Sequence, residues 1–151
     1  MVQPPLLQRL RHQVETRLSG ADPAHDFGHV QRTLAAAQRI AAGEGADREV
    51  VRLAALLHEW VSFPKGHPDS PRSGQVCADE VKELLAGEGV DPRLAGEVCE
   101  CIRVHAFSAG LEARSLEAKV LLPAGRSSPS LRRLARRREG GRSSWRLFST
   151  T

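Results

Sequence analysis

The stretch at residues 53–60 constrains the fold of this chain more than any other. It reads Leu-Ala-Ala-Leu-Leu-His-Glu-Trp, so an apolar helix ends in His58 and Glu59. A helix that is apolar on almost every face belongs at the centre of a bundle. Burying an imidazole and a carboxylate there is costly unless something compensates, and a bound cation would do so. The stretch therefore predicts a central helix with metal-binding side chains at its end.

Elsewhere, apolar residues recur at three- and four-residue steps, which is the period of amphipathic helices. Leu6, Leu10 and Val14 form one such stripe. Cap and stop signals divide the pattern into about six helices, and we expect them near residues 4–18, 22–42, 47–57, 73–86, 91–105 and 115–121. The pattern has no period typical of strands, so the expected fold class is an all-α bundle.

Four histidines outside the central helix can carry chemistry. His25 and His29 are four residues apart, so on one helix they would share a face, as two ligands of one metal do. Exposed histidines at the start of a polar helix would give the same spacing. His105 lies on the inner face of the fifth helix, as either a ligand or a core residue. Lys65 and His67 lie in a loop rich in proline. That loop either clamps a phosphate or is simply solvated.

Four segments together resemble the HD-domain superfamily of metal-dependent phosphohydrolases, and small single-domain bacterial members above all. They are His-Asp-Phe-Gly-His-Val-Gln-Arg (25–32), Ala-Ala-Leu-Leu-His-Glu-Trp (54–60), Phe-Pro-Lys-Gly-His-Pro-Asp (63–69) and Ile-Arg-Val-His-Ala-Phe-Ser (102–108). The resemblance covers about residues 6–121. Because the four segments occur in the order and at the spacing of the family, the resemblance is more specific than any one segment would make it.

The resemblance implies an all-α fold and hydrolysis of a phosphoester by a metal-activated water. It assigns His29, His58 and Glu59 to a divalent ion, with His58 and Glu59 catalytic. The ion would be manganese, iron, zinc or magnesium. The substrate would be a nucleotide or another small phosphorylated molecule. The residues implied to contact the phosphate or substrate are His25, Arg32, Lys65, His67 and His105.

Two departures from the family pattern bear on activity. Glu59 stands where the family has the aspartate of its His-Asp pair. The family's last aspartate ligand is also missing, because no aspartate follows Asp91. A second hypothesis is therefore a degenerate or truncated member without activity.

The C-terminal residues 122–151 differ in character from the rest. They contain eight arginines and one glutamate, a net charge of +7, whereas the other 121 residues carry −3. We expect the helical domain to end at 121 and the tail to lie outside the family fold, because Pro123-Ala124-Gly125 should not continue a helix. The composition suggests a reading-frame shift near Leu121 or Leu122, which translation in the other frames would test. A third hypothesis is nonspecific nucleic-acid binding through this tail, and a disordered tail is the alternative.

Compartment and redox state follow from simple counts. No apolar run approaches the roughly 18–20 residues of a membrane helix, and the first residues lack the build of a signal peptide. The three cysteines, Cys77, Cys99 and Cys101, do not suggest a disulfide framework. A cytoplasmic protein without membrane contact is expected. The cysteines are interpreted as buried thiols, with zinc binding by Cys99 and Cys101 as the alternative.

Overall fold

The computed structural model describes residues 2–64, 66–105 and 112–125. Within these ranges the chain forms six α-helices and a short 3-10 helix, Ser70–Arg72, and no strand. The α-helices are α1 (Pro4–Arg17), α2 (Phe27–Glu44), α3 (Arg48–Leu57), α4 (Ser73–Gly87), α5 (Pro92–His105) and α6 (Leu116–Gly125). The all-α prediction is confirmed. None of the described helices combines the length and apolar character that crossing a membrane requires.

Helix α3 is the centre of the bundle, as its composition predicts. Asp47 caps it by accepting hydrogen bonds from the amides of Glu49 and Val50. From Val50 onward every residue except Arg52 is buried, and α3 packs against α2, α5 and α6. The apolar helix thus delivers its last turn, and the two polar residues that follow it, into the interior.

Helix α2 begins at Phe27, five residues later than the sequence suggested. Asp22 closes a local turn instead, accepting a hydrogen bond from the amide of Ala24 at 2.8 Å. Asp26 is the helix cap and accepts from the amide of His29, also at 2.8 Å. The prediction that His25 and His29 share one helical face is therefore wrong, because His25 precedes the helix.

Helix α6 begins as expected and ends later. The Ser115 hydroxyl accepts a hydrogen bond from the amide of Ala118 at 3.0 Å, which caps the helix. The helix then passes through Pro123 to Gly125, so the expectation that these residues leave the helix is wrong. Proline lacks one amide donor, and the last turn continues without that bond. Residues 126–151 lie outside the described part of the chain, so the domain boundary at 121 and the fate of the tail stay predictions.

The three cysteines are free thiols. Cys77 and Cys101 are buried and Cys99 is half-buried. Among the described residues, the group of side chains that could hold a metal contains no cysteine. This arrangement favours the interpretation as buried thiols over zinc binding through Cys99 and Cys101.

Burial predicts the order in which these thiols react. Desolvation raises the pKa of Cys77 and of Cys101 to about 12, and it also raises the pKa of the half-buried Cys99. Since the thiolate is the reactive form, we expect iodoacetamide at pH 8 to modify Cys99 first in the folded protein. Cys77 and Cys101 should react only after unfolding in guanidinium. Peptide mass mapping measures this, and rapid labelling of Cys77 in the folded chain would contradict it.

Candidate metal centre

The end of α3 fixes the orientation of the His58 ring. His58 is buried, and its Nδ1 lies 2.6 Å from the carbonyl oxygen of Ala55. The carbonyl can only accept, so Nδ1 donates and the Nε2 of a neutral His58 keeps its lone pair. This is the usual way in which a hydrogen bond sets the tautomer of a metal-binding histidine.

The first turn of α2 brings His29 to the same point. The cap at Asp26 fixes the backbone of His29, and its Nε2 lies 3.3 Å from the Nε2 of His58. The two ring planes are inclined at 61°, with centroids 5.4 Å apart. Two nitrogens from different helices therefore face one small volume.

Glu59 completes a triangle of donor atoms. Its Oε1 lies 3.4 Å from Nε2 of His58 and 3.6 Å from Nε2 of His29. With the 3.3 Å separation of the nitrogens, the point equidistant from all three atoms is about 2.0 Å from each, within the usual range of bonds from zinc to nitrogen or oxygen. The donor set therefore fits a divalent metal ion.

The protonation states of these groups also suit a cation. Burial, followed by the neighbouring His58, lowers the pKa of His29. Burial alone would raise the pKa of Glu59, but a hydrogen bond from His58 and the charges of His58, His25 and His29, which these histidines supply only in their protonated forms, outweigh it, so the pKa lies below its ordinary value. At neutral pH, His29 is therefore neutral and Glu59 ionised, which are the forms that bind metals.

His25 reaches the cluster from the turn before α2. Its Nδ1 lies 3.1 Å from Oε2 of Glu59, and about half of its side chain is exposed. Glu59 therefore uses both oxygens: Oε1 faces His29 and His58, and Oε2 faces His25. The two histidines predicted to share a helix meet at one carboxylate instead.

Two other residues singled out from the sequence lie beside the cluster. The ring of His105, at the end of α5, packs edge-on against His58 with centroids 4.8 Å apart. Arg32 folds back over Gly28, where an added Cβ would lie 3.2 Å from the guanidinium. The Arg32 charge also helps to lower the pKa of His29, after the larger effects of burial and of the other ionisable neighbours.

In the loop after α3, His67 makes its contacts with other residues of the same loop. The ring of His67 stacks on Phe63, with centroids 4.9 Å apart and an interplanar angle of 15°. Its Nδ1 accepts a hydrogen bond from the amide of Asp69 at 3.0 Å. These contacts hold His67 within its own loop, and within the described part of the chain neither of them reaches the donor triangle. Lys65 lies outside the described residues, so its predicted role stays untested.

Sequence reasoning missed two residues that support the site. Asp26 acts as a cap rather than as a helical residue, and its position just before Phe27-Gly-His was the available signal. The thiol of Cys77 lies 3.5 Å from the carbonyl oxygens of both Leu57 and His58. No local pattern could have revealed that contact, because it joins different helices.

The model of the HD domain family matches residues 26–129. Since this is more than half of the sequence, the chain belongs to the HD domain family. The crystal structure of a predicted HD superfamily hydrolase from an uncultured Thermotogales bacterium is similar, with a TM-score of 0.64 and 26% identity. That match covers 91% of this chain and 79% of the other.

The crystal structure of Bacillus subtilis YpgQ in complex with ADP is also similar. It has a TM-score of 0.60 and 26% identity, covering 92% of this chain and 69% of that one. No curated protein sequence matches the chain. The resemblance seen in the sequence motifs is thus confirmed at the level of the family.

Removing any one donor of the triangle should weaken metal binding. We expect His29→Ala, His58→Ala and Glu59→Gln each to lower the affinity for Co²⁺ at least about tenfold, as loss of even supporting groups does in metal sites. Equilibrium dialysis with elemental analysis measures the affinity. His67→Ala is the matched control, since this imidazole is held in its own loop, and an equal loss there would contradict the assignment.

Shortening the carboxylate should also weaken binding, although aspartate is the residue expected at this place in the family. Glu59→Asp withdraws the oxygens by about 1.5 Å, one carbon–carbon bond. We expect the shorter carboxylate to face both nitrogens less closely and to lose the contact that Oε2 of Glu59 makes with His25. We expect Co²⁺ affinity to fall in the dialysis measurement. Tighter binding by Glu59→Asp would show that the glutamate is a defect.

Proposed function

We propose that this protein is a metal-dependent phosphohydrolase that acts on a nucleotide or another small phosphoester. The observation that carries the proposal is the triangle formed by His29, His58 and Glu59. Two imidazoles and one carboxylate, with a common centre about 2.0 Å away, are a donor set for a divalent ion of the manganese, iron or zinc type.

The ion supplies Lewis acidity, which lowers the pKa of water and neutralises charge on phosphoryl oxygens. The chain supplies orientation. His58 is held by the Ala55 carbonyl, and Glu59 is held between the imidazoles of His29 and His58 on one side and His25 on the other. The catalytic role of His58 and Glu59 is to keep Nε2 of the histidine and Oε1 of the glutamate directed at the centre of the triangle.

The partly or fully exposed groups around the triangle are suited to an anionic substrate. His25 and Arg32 lie on the side of α2, and His105 lies beside His58. We infer that these side chains hold the phosphate, since imidazolium and guanidinium groups donate charge-assisted hydrogen bonds to phosphoryl oxygens. Lys65 and His67 would approach the phosphate from the loop in the same hypothesis.

A nucleotide is the favoured substrate because of one relative. YpgQ, whose fold is similar, was crystallised in complex with ADP. That fact concerns YpgQ, and it makes nucleoside phosphates the first compounds to test here. The missing aspartate does not oppose the proposal, because three protein ligands with remaining open positions are typical of catalytic metal sites.

Activity provides the direct test. The purified full chain with Mn²⁺ should release phosphate or pyrophosphate from at least one member of a panel of nucleoside mono-, di- and triphosphates. Colorimetric phosphate detection with and without pyrophosphatase distinguishes the two products. Glu59→Gln should reduce the rate at least about 100-fold, the scale of effect expected from a misplaced reacting group.

The controls separate the competing hypotheses. His67→Ala should retain metal binding, so any change in its KM alone would indicate the proposed substrate contact. A wild-type chain that binds Mn²⁺ but hydrolyses nothing in the panel would favour the inactive member. Nucleic-acid binding that disappears with the residues after 125 would support the role of the basic tail.

A further inference from the structure

The turn that carries the candidate ligands is held by two side chains from other helices. Residues 57–61 lead from the end of α3 into the following loop and include His58 and Glu59. Arg17, the last residue of α1, and Cys77 of α4 both contact this turn. Arg17 lies before residue 26, where the match to the HD domain begins.

Arg17 makes three contacts in different directions. Its Nε donates to the carbonyl oxygen of Trp60 at 2.6 Å, and its guanidinium carbon lies 4.3 Å from the centroid of the Trp60 ring. Its Nη2 lies 3.2 Å from Oε2 of Glu80 on α4. A planar guanidinium can use its edge and its face in this way, which an ammonium group cannot. The side chain therefore fixes both the backbone and the ring of Trp60.

A backbone hydrogen bond and the thiol of Cys77 on α4 hold the rest of the turn. The amide of Trp60 donates to the carbonyl of Leu57 at 3.0 Å. The buried thiol of Cys77 lies 3.5 Å from the carbonyls of Leu57 and His58, and it accepts from the amide of Val61 at 3.5 Å. Glu59 thus lies between two residues whose carbonyl groups are both held by side chains of other helices.

We propose that Arg17 is a positioning residue for the metal centre, acting through Trp60 on the carboxylate of Glu59. The inference rests on the proposed function. His58 keeps its own anchor at the Ala55 carbonyl, so displacement of the turn falls on Glu59. Because reacting and ligating groups must be held to within about 0.5 Å, a small shift of Trp60 is enough to open the triangle.

The test is a titration of the full chain with Co²⁺ alone, followed by the visible absorption of the bound ion. Arg17→Met keeps the aliphatic stem and removes every donor. We expect about tenfold weaker binding, as for other supporting groups of metal sites, and a changed absorption band. Arg17→Lys restores one donor and should recover part of the loss.

Arg9→Ala is the matched control. Arg9 lies on the same helix and pairs with Glu88, with its Nη2 3.0 Å from Oε2, so its loss loosens α1 without touching the turn. Co²⁺ binding should be unchanged in Arg9→Ala. Unchanged binding in Arg17→Met overturns the proposal, and so does an equal loss in both variants, which would indicate only the docking of α1.

Two further measurements cover the remaining outcomes. If Arg17→Met does not fold, Glu80→Gln removes only the ion pair that orients the guanidinium, and it must weaken Co²⁺ binding in the same direction. No loss there overturns the proposal. If the wild type takes up no Co²⁺, the proposed function fails separately. Hydrogen exchange of the Trp60 and Val61 amides then decides: acceleration in Arg17→Met but not in Arg9→Ala supports positioning, and equal exchange overturns it.

Discussion

The hydrogen bond between His58 and the Ala55 carbonyl is the interaction on which the site depends. The last four carbonyls of a helix lack partners within the helix, and one of them accepts from Nδ1 of His58 at 2.6 Å. The bond satisfies a buried carbonyl and at the same time points Nε2 toward His29. The bond that satisfies the end of α3 therefore also fixes Nε2 of His58 as a ligand atom. The ligand atoms of His29 and Glu59 lie around it.

The cluster also has to tolerate burial. A charged carboxylate inside a bundle is costly without compensation. Glu59 is compensated by His25 at 3.1 Å and by the neighbouring imidazoles, which outweigh desolvation and lower its pKa. Burial acts on His29 in the opposite sense and keeps it neutral. The two effects together leave the negative charge of Glu59 beside the lone pair of His29, and a divalent cation would stabilise this arrangement.

Local signals in the sequence predicted the helices and singled out the three side chains, His29, His58 and Glu59, that the structure brings together. The apolar run before His58 identified the central helix, and Asp47 and Ser115, at the starts of the expected ranges 47–57 and 115–121, cap their helices in the structure. Aspartate is a preferred cap at either Asp22 or Asp26; the expected range began at Asp22, whereas the structure uses Asp26, which leaves His25 outside the helix and in contact with Glu59. The contacts of Cys77 and Arg17 could not be predicted from the sequence, because they join segments that are distant along the chain and follow no periodicity.

The geometry of the helix ends gives a final reason for the location of the site. The end of α3 presents the negative pole of its dipole, and the start of α2 presents the positive pole. His58 and Glu59 follow the first, and His29 lies in the first turn of the second. A cation is stabilised near the former and a phosphate near the latter. Under the proposed function, a metal ion and an anionic substrate would therefore find complementary places side by side, at the ends of two helices that pack against each other.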